Sequence, residues 1–174
     1  MVAAAAAAAL NTQLDRLSRI GAWLVLPLSA LLFLQWPLRD LVGAGSRPAN
    51  DLAQWVFALY VALALRTTTR ERAHLALGER EGAAAPSAWR RTALRWTAAA
   101  SVLPWALFVL VSAAPLVWQS VRGLESFPDT LNPLYFVIKL SVWLMAALMA
   151  VQAVLDLMFD AQADAQSERT ESTE

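Results

Sequence analysis

The chain has 174 residues, of which 58% are hydrophobic and 16% charged, well to the apolar side of a soluble globular protein. It contains no cysteine, which excludes disulfide bonds, thiolate catalysis and cysteine-ligated zinc or iron–sulfur clusters. Its single histidine, His74, excludes a bis-histidine haem site, and its formal net charge of zero hides a strongly uneven distribution of charge along the chain.

The first 38 residues are predicted to form a surface helix followed by a membrane span. Residues 1–19 open with a run of alanines and continue into polar residues, so we expect a helix lying at the membrane surface. The stretch 20–38 carries no charge and contains two prolines, which a packed membrane helix tolerates. It is longer than the apolar region of a usual secretory signal and no convincing cleavage site follows, so we expect a retained anchor.

A second span is predicted over residues 51–69. A short connector rich in turn-forming residues, 39–50, leads into it, and Asp51 is predicted to cap its first turn. Its uninterrupted apolar stretch, 55–65, is the shortest of the four predicted spans. This helix therefore crosses a bilayer only if its polar ends take part in the span.

The long hydrophilic loop, residues 66–95, sets the predicted orientation. It holds seven arginines against three glutamates. With this loop and both termini on one side, that side carries ten arginines and the other side three. Basic residues collect in loops that stay in the cytoplasm, so both termini are predicted to be cytoplasmic, with two short loops outside.

The last part of this loop, residues 84–96, is predicted to be an amphipathic helix in the headgroup region. Its arginines would meet phosphate groups and its tryptophans would lie at the interface. An ordinary basic flank of the next span is the alternative, and it gives the same topology. The interfacial anchors are Trp89, Arg90, Arg91, Arg95 and Trp96.

Two further spans complete the predicted membrane domain, residues 1–160. The third covers 96–119 and the fourth covers 133–159, with a polar loop between them. Residues 161–174 are polar and acidic and are predicted to be a disordered cytoplasmic tail. The predicted fold class is therefore all-α, a polytopic membrane protein of four transmembrane helices with an added interfacial helix.

Lys139 is the one ionisable residue placed well inside a predicted span, roughly one turn from its outer end. A charge inside a membrane is a candidate functional residue because it is expensive to bury. The structural alternative is that its side chain reaches the interface or pairs with Glu125 or Asp129 of the adjoining loop. The candidate subunit-contact or structural residues are Lys139, Glu125, Asp129 and Arg122.

The sequence lacks the patterns of a catalytic or cofactor site. It has no paired intramembrane carboxylates, no glycine-rich phosphate loop and no cluster of metal-ligand residues. It also lacks a convincing repeat of the kind that self-sufficient secondary transporters typically show. We therefore expect neither an enzyme nor a bound cofactor.

The chain resembles the small, DctQ-like membrane subunit of TRAP transporters, which are tripartite ATP-independent periplasmic carriers. The resemblance lies in the layout of residues 16–160 and in two local stretches. One stretch is the basic segment 64–75, which ends in His74 and an apolar residue. The other, 118–139, is more specific and is similar to the mannitol/chloroaromatic-type branch. After His74, many members continue with a basic residue and an aspartate, whereas Ala76 and Gly78 stand here.

The resemblance implies an accessory scaffold subunit in a bacterial inner membrane. In that family the small subunit binds a large membrane subunit that carries the substrate and sodium sites, and a periplasmic binding protein delivers a carboxylate. The alternative is a non-haem membrane anchor of a peripheral or respiratory enzyme. A self-sufficient small exporter would need a polar site deep among the helices, and only Lys139 approaches one.

Overall fold

The computed structural model describes residues 2–41, 43, 46–70 and 88–171, and it describes side chains over a narrower range that leaves out 1–4, 88–92, 94–95 and 160–171. Over these residues the fold is all-α, as the sequence predicts. The helices are α1 (Val2–Ala22), α2 (Val25–Asp40), α3 (Arg47–Arg70), α4 (Ala88–Arg122) and α5 (Tyr135–Glu171).

Helices α1 and α2 form one long helical stretch that is interrupted at Trp23 and Leu24. Proline at position 27 has no N–H to give to the carbonyl of Trp23, and its ring crowds that carbonyl. The chain tightens there: the N–H groups of Trp23 and Leu24 donate to carbonyls three residues earlier, at 3.1 and 3.0 Å. The predicted N-terminal helix and first span are thus joined with only a local break.

Helix α3 begins four residues before the predicted second span, and Asp51 does not cap it. Ser46 is the capping residue, because its Oγ accepts a hydrogen bond from the N–H of Ala49 at 3.3 Å. Proline at position 48 suits a first turn, where its missing N–H is not needed. The prediction for Asp51 was wrong because the cap lies in the connector, which leaves the Asp51 carboxylate available for a tertiary contact.

Helix α4 is continuous from Ala88 to Arg122, so the residues predicted as the end of the long loop already belong to it. Helix α3 likewise continues to Arg70, and residues 71–87 lie outside the described part of the chain. At 35 residues, α4 is about 53 Å long and exceeds the hydrocarbon thickness of a bilayer. Part of this helix must therefore extend beyond the hydrocarbon region if it crosses a membrane upright.

Helix α5 continues to Glu171, through the segment that is predicted from sequence as a disordered tail. Residues 161–166 alternate alanine with glutamine and aspartate. Alanine and glutamine are good helix formers, and a helix already nucleated at Tyr135 can propagate into them. Propagation of the helix therefore outweighs the polar composition of residues 161–171, and residues 172–174 lie outside the described part of the chain.

The helices pack as an open row in the order α2, α3, α5, α4. The Arg66 side chain of α3 meets Gln152 of α5, whereas Asp51 of α3 meets the loop before α5, so these central helices run parallel. The α1–α2 stretch and α4 run antiparallel to them on opposite sides. Among the described residues, α2 and α4 share no extensive contact, so the row is not closed into a bundle.

Small side chains allow close helix contacts in this row. Gly21 lies so near α3 that an added Cβ would be 2.8 Å from the Cβ of Leu63. On α5, the small residues Ala146 and Ala153 are both buried. A separate apolar cluster of Leu28, Ala53 and Val56 joins α2 to α3.

Three helical stretches are long and apolar enough to cross a membrane: Ala5–Asp40, Trp96–Arg122 and Tyr135–Phe159. Helix α3 is less apolar and does not qualify by composition. Many large apolar side chains of α2 and α4 are exposed, among them Phe33 and Phe108. Such wide apolar surface is rare on soluble monomers and indicates a membrane protein.

Candidate functional site

A buried polar network joins α1, α3 and α5 around Arg66, whose side chain is 1% exposed. Its Nε donates to Oε1 of Gln152 at 3.0 Å, and its Nη2 donates to Oδ1 of Asn11 at 3.0 Å. Its Nη1 donates to Oδ1 of Asp15 at 2.7 Å and to Oγ of Ser18 at 3.2 Å. The Arg66 cluster is defined as Asn11, Asp15, Ser18, Arg66, Arg70, Gln152 and Asp156.

Helical periodicity brings these side chains to one place. The α1 members are spaced four and three residues apart, which puts them on one face of the helix. Arg70 lies one turn beyond Arg66 and also donates to Asp15. On α5, Nε2 of Gln152 donates to Oδ1 of Asp156, one turn further on, at 2.7 Å. Each helix therefore contributes one polar stripe to the cluster.

The cluster contains two arginines and two carboxylates, so its formal charges balance. Taking a guanidinium out of water costs several kcal/mol, and the network offsets this cost only because nearly all its donors find acceptors. The carboxylate of Asp15 is held by two arginines. The arrangement is suited to locking three helices together, since its acceptors are already engaged inside the chain.

Sequence reasoning missed this cluster: Arg66 lies where the predicted second span, 51–69, overlaps the hydrophilic loop, 66–95, and was counted only among the basic residues of that loop. Two signals could have revealed it. Arg66 directly follows the apolar stretch of α3, so it still lies within reach of the helix packing, and Gln152 interrupts the apolar sequence of α5 near the same end. Paired polar residues in otherwise apolar helices usually face a common interior because they need partners there.

At the opposite end of α3, Asp51 is buried and holds the loop between α4 and α5. Its Oδ2 accepts hydrogen bonds from Oγ1 of Thr130 at 2.5 Å and from Nδ2 of Asn132 at 2.9 Å. The same loop buries Phe127, whose ring meets that of Tyr135 edge to face at 5.2 Å. Asp51 thus fixes the loop against the start of α3, a role that its position in the sequence did not indicate.

Lys139 pairs with Glu125, one of the partners that the sequence left open. Its Nζ donates to Oε2 of Glu125 at 2.5 Å, and the two side chains are 36% and 38% exposed. Ser120 at the end of α4 also donates to this carboxylate, at 2.5 Å. The Lys139 ammonium further lies 5.3 Å from the centre of the Tyr135 ring. The pair links α5 to the end of α4.

The pair predicts a pH dependence of stability. Hydrogen bonds from Lys139 and then from Ser120 hold the pKa of Glu125 below its ordinary value of 4.5, against the opposing effect of burial. A carboxyl with a lowered folded pKa stabilises the fold above its unfolded pKa, and that contribution is lost as the pH falls through the folded pKa. We expect the melting temperature of the wild type to exceed that of Glu125→Gln at neutral pH.

This difference should narrow once the pH falls below the ordinary carboxyl pKa of 4.5. Thermal melting of both proteins in detergent, measured across that range, checks the expectation. The exposed Asp40, replaced by asparagine, is the control for general effects of charge removal, since it forms an ion pair with its exposed neighbour Arg39. If the difference in melting temperature between wild type and Glu125→Gln did not change with pH, the Glu125–Lys139 pair would not be its cause.

The other predicted site residues lie nearby but do not join this pair. Arg122 is exposed and its guanidinium stacks over the Trp118 ring, 4.6 Å from the centre. Asp129 is exposed on the loop and lines a cavity. Of the predicted interfacial anchors, Trp96 is exposed, as such an anchor requires. The side chains of Trp89, Arg90, Arg91 and Arg95 lie outside the described residues.

A cavity of about 870 Å³ opens at this end of the row, between α2, α3 and the loop before α5. Arginines, carboxylates, uncharged polar residues, aromatic residues and one proline meet in it. Its lining residues are Gln35, Trp36, Arg39, Ser46, Arg47, Asn50, Asp51, Gln54, Phe127, Pro128, Asp129, Thr130 and Tyr135. The cavity wall is therefore part polar and part apolar, and it contains both signs of charge.

Within the described ranges, no three histidine, aspartate or glutamate side chains gather in a way that could hold a metal ion. Comparison of the chain with protein-family models, with curated proteins and with solved structures finds no match.

Proposed function

We propose that this chain is the small accessory membrane subunit of a TRAP-type carrier and supports sodium-coupled uptake of an organic acid by a large permease subunit. The proposed partners are that permease, a periplasmic substrate-binding protein and the lipid bilayer of the bacterial inner membrane. The resemblance of residues 64–75 and 118–139 to this family supports the proposal. The chain would act as a scaffold and not as an enzyme.

The open row of helices is the observation that carries the proposal. A small transporter with its own site would enclose polar groups between its helices near the middle of the membrane. Here the described polar networks lie toward the two ends of α3 and use their groups on one another. The exposed apolar faces of α2 and α4 instead offer area to lipid or to another membrane protein. A chain whose polar groups pair with one another, and whose apolar faces stay exposed, is suited to act as a scaffold.

Four spans follow if α3 crosses the membrane together with the three apolar stretches. Asp51 and Arg66 are 15 residues apart, which places the two polar clusters about 22 Å from each other along the helix. The residues between them carry no charge. A helix with this layout spans most of a hydrocarbon core of about 30 Å. Its lower hydropathy fits a central helix that meets other helices on several sides.

The distribution of arginines supports an orientation with both termini in the cytoplasm. The Arg66 cluster then lies at the cytoplasmic end, and the Glu125–Lys139 pair and the cavity lie at the outer end. In this orientation the first turns of α4 would place Trp89 to Trp96 at the inner headgroup region.

Affinity purification tests the proposal. The tagged full-length chain, solubilised from its native membranes in mild detergent, is expected to bring down a much larger polytopic protein. Deleting the chain is expected to abolish sodium-dependent uptake of a carboxylate, measured with radiolabelled organic acids. Recovery of a peripheral or redox enzyme without a permease would support the membrane-anchor alternative and overturn the proposal.

Photocrosslinking locates the partner surface. A benzophenone amino acid replaces Phe33 on α2 or Phe108 on α4, both exposed, or the buried Phe127 as a matched aromatic control. At least one exposed position is expected to give a crosslink to the large polytopic protein, and position 127 is expected to give none. Capture of lipid alone at both exposed positions would contradict a partner on these faces.

A further inference from the structure

We propose that the cavity between α2 and α3 binds the headgroup of a phospholipid in which a primary ammonium is joined to the phosphate. Such a site would serve the chain whatever its partner proteins are. The position of the cavity, the charges of its walls and an unpaired buried amide together support it.

The cavity lies where an apolar helix leaves the membrane. The uncharged stretch of α2 ends at Leu38, and the cavity walls begin with Gln35, Trp36 and Arg39. Trp36 is exposed, and tryptophan prefers the headgroup level, where its ring is apolar and its N–H is wet. Exposed Phe33 lies one turn further toward the membrane centre and offers an apolar surface to an acyl chain. A headgroup in the cavity can thus keep its chains in lipid.

The walls of the cavity carry both signs of charge. Arg39 and Arg47 come from two different helices, and Asp129 comes from the loop. The remaining acid, Asp51, already accepts two hydrogen bonds from the loop and is buried. Arg39 also pairs with Asp40 at 2.8 Å, whereas no ion pair of Arg47 is found among the described residues. A purely anionic ligand would be repelled by Asp129, and a purely cationic one by the arginines. In a headgroup that carries a phosphate beside an ammonium, the phosphate can pair with the arginines and the ammonium with Asp129.

An unpaired donor lies in the same wall. Nε2 of Gln35 is the buried side-chain polar atom without a hydrogen-bond partner in the described part of the chain. Buried polar groups are almost always paired, so such an atom calls for a partner. The atom is shielded from solvent, so a phosphate oxygen at this wall would accept its hydrogen bond once the Gln35 amide turns toward the cavity. At about 870 Å³, the cavity is within the size range of small-molecule sites and has room for a headgroup.

The test uses the full-length chain purified in mild detergent with any partner that it retains. Native mass spectrometry and thermal melting are recorded with added phosphatidylethanolamine, phosphatidylcholine, phosphatidylglycerol or free phosphoethanolamine. Phosphatidylethanolamine is expected to bind best. Arg47→Ala and Asp129→Asn are each expected to weaken its binding about tenfold, as loss of one charge-assisted hydrogen bond would. Both residues are exposed, so these changes should leave the fold intact.

Arg122→Ala is the matched control, because Arg122 is an exposed arginine at the same end of the row but does not line the cavity. It is expected to bind phosphatidylethanolamine like the wild type. If phosphatidylcholine bound as tightly as phosphatidylethanolamine, the role of the primary ammonium would be overturned. If phosphatidylglycerol bound more tightly than phosphatidylethanolamine, the preference for a zwitterionic headgroup would be overturned. Equal protection by free phosphoethanolamine would overturn a lipid as its source. If Arg47→Ala, Asp129→Asn and Arg122→Ala changed the binding of phosphatidylethanolamine equally, the cavity would not be the binding site.

Discussion

Arg66→Ala is expected to lower the free energy of unfolding by about 3 kcal/mol or more. The substitution removes four hydrogen bonds that tie α3 to α1 and α5. Interhelical hydrogen bonds in membrane proteins average only about 0.6 kcal/mol each, so the bonds alone would give a smaller loss. The rest of the destabilisation comes from polar groups that lose a partner: Oε1 of the buried Gln152 and Oδ1 of the half-buried Asn11 are left without Arg66, while Asp15 keeps only its bond from Arg70.

The measurement is unfolding of the detergent-solubilised chain by SDS titration, followed by circular dichroism. Arg39→Ala is the matched control, since Arg39 pairs with Asp40 at the surface, where the two side chains are 71% and 40% exposed. An exposed pair of this kind is worth less than about 1 kcal/mol. Arg66→Lys should be intermediate because one ammonium cannot reproduce the planar fork of donors. Equal losses for Arg66→Ala and Arg39→Ala would show that the buried network does not stabilise the fold.

Gly21→Ala is expected to destabilise the chain by about 1–3 kcal/mol, the usual range for overpacking. Helix propensity alone predicts the opposite sign, because alanine is favoured over glycine in a helix by about 1 kcal/mol. Packing decides the outcome here. An added Cβ would lie 2.4 Å from Cδ1 of Leu63 and 2.8 Å from its Cβ. The Cδ1 end can rotate away, but the Cβ can move only if α1 and α3 separate.

A double-mutant cycle with Leu63→Ala isolates this contact. Leu63 is buried, so Leu63→Ala alone should cost about 2–5 kcal/mol. It removes the Cγ and Cδ1 atoms that crowd Gly21 but keeps the Cβ, so it relieves only part of the crowding, and the double variant should lose somewhat less than the sum of the two single losses. Ala30→Val, at an exposed position of α2, is the control and should change stability by less than about 0.5 kcal/mol. Strict additivity, or a gain in stability for Gly21→Ala, would contradict the close approach of α1 and α3.

The existence of the helices is predictable from this sequence because long apolar stretches in a chain of this composition have few alternatives to a helix. The errors fall at the helix ends. Asp51 precedes the apolar stretch of α3 as a cap would, yet Ser46 is the cap; the polar composition of residues 161–174 is typical of disorder, yet α5 continues to Glu171. Helix ends depend on local hydrogen bonds such as the one to Ser46, which composition does not reveal.

The candidate sites were predictable only where partners are near in sequence. Glu125 and Lys139 are 14 residues apart, on either side of one short loop, so their contact could be anticipated as one of two choices. Arg66 and Gln152 are 86 residues apart, and Asp51 and Asn132 are 81 apart. Nothing local in the sequence links such pairs, because the contact depends on which helices become neighbours and with what rotation.

The amino-acid pattern alone is enough to establish a helical membrane chain, its basic middle segment and the pairing options of Lys139. Apolar length and the distribution of charge suffice for these, since they follow from the cost of placing each segment in lipid or in water. Three other features emerge only from the folded arrangement: the parallel α3 and α5 at the centre of an open row, the joining of three helices by Arg66, and the cavity of mixed charge at the end of α2. These depend on packing between distant segments, where side-chain shape and hydrogen-bond partners select one arrangement from many that share the same apolar pattern.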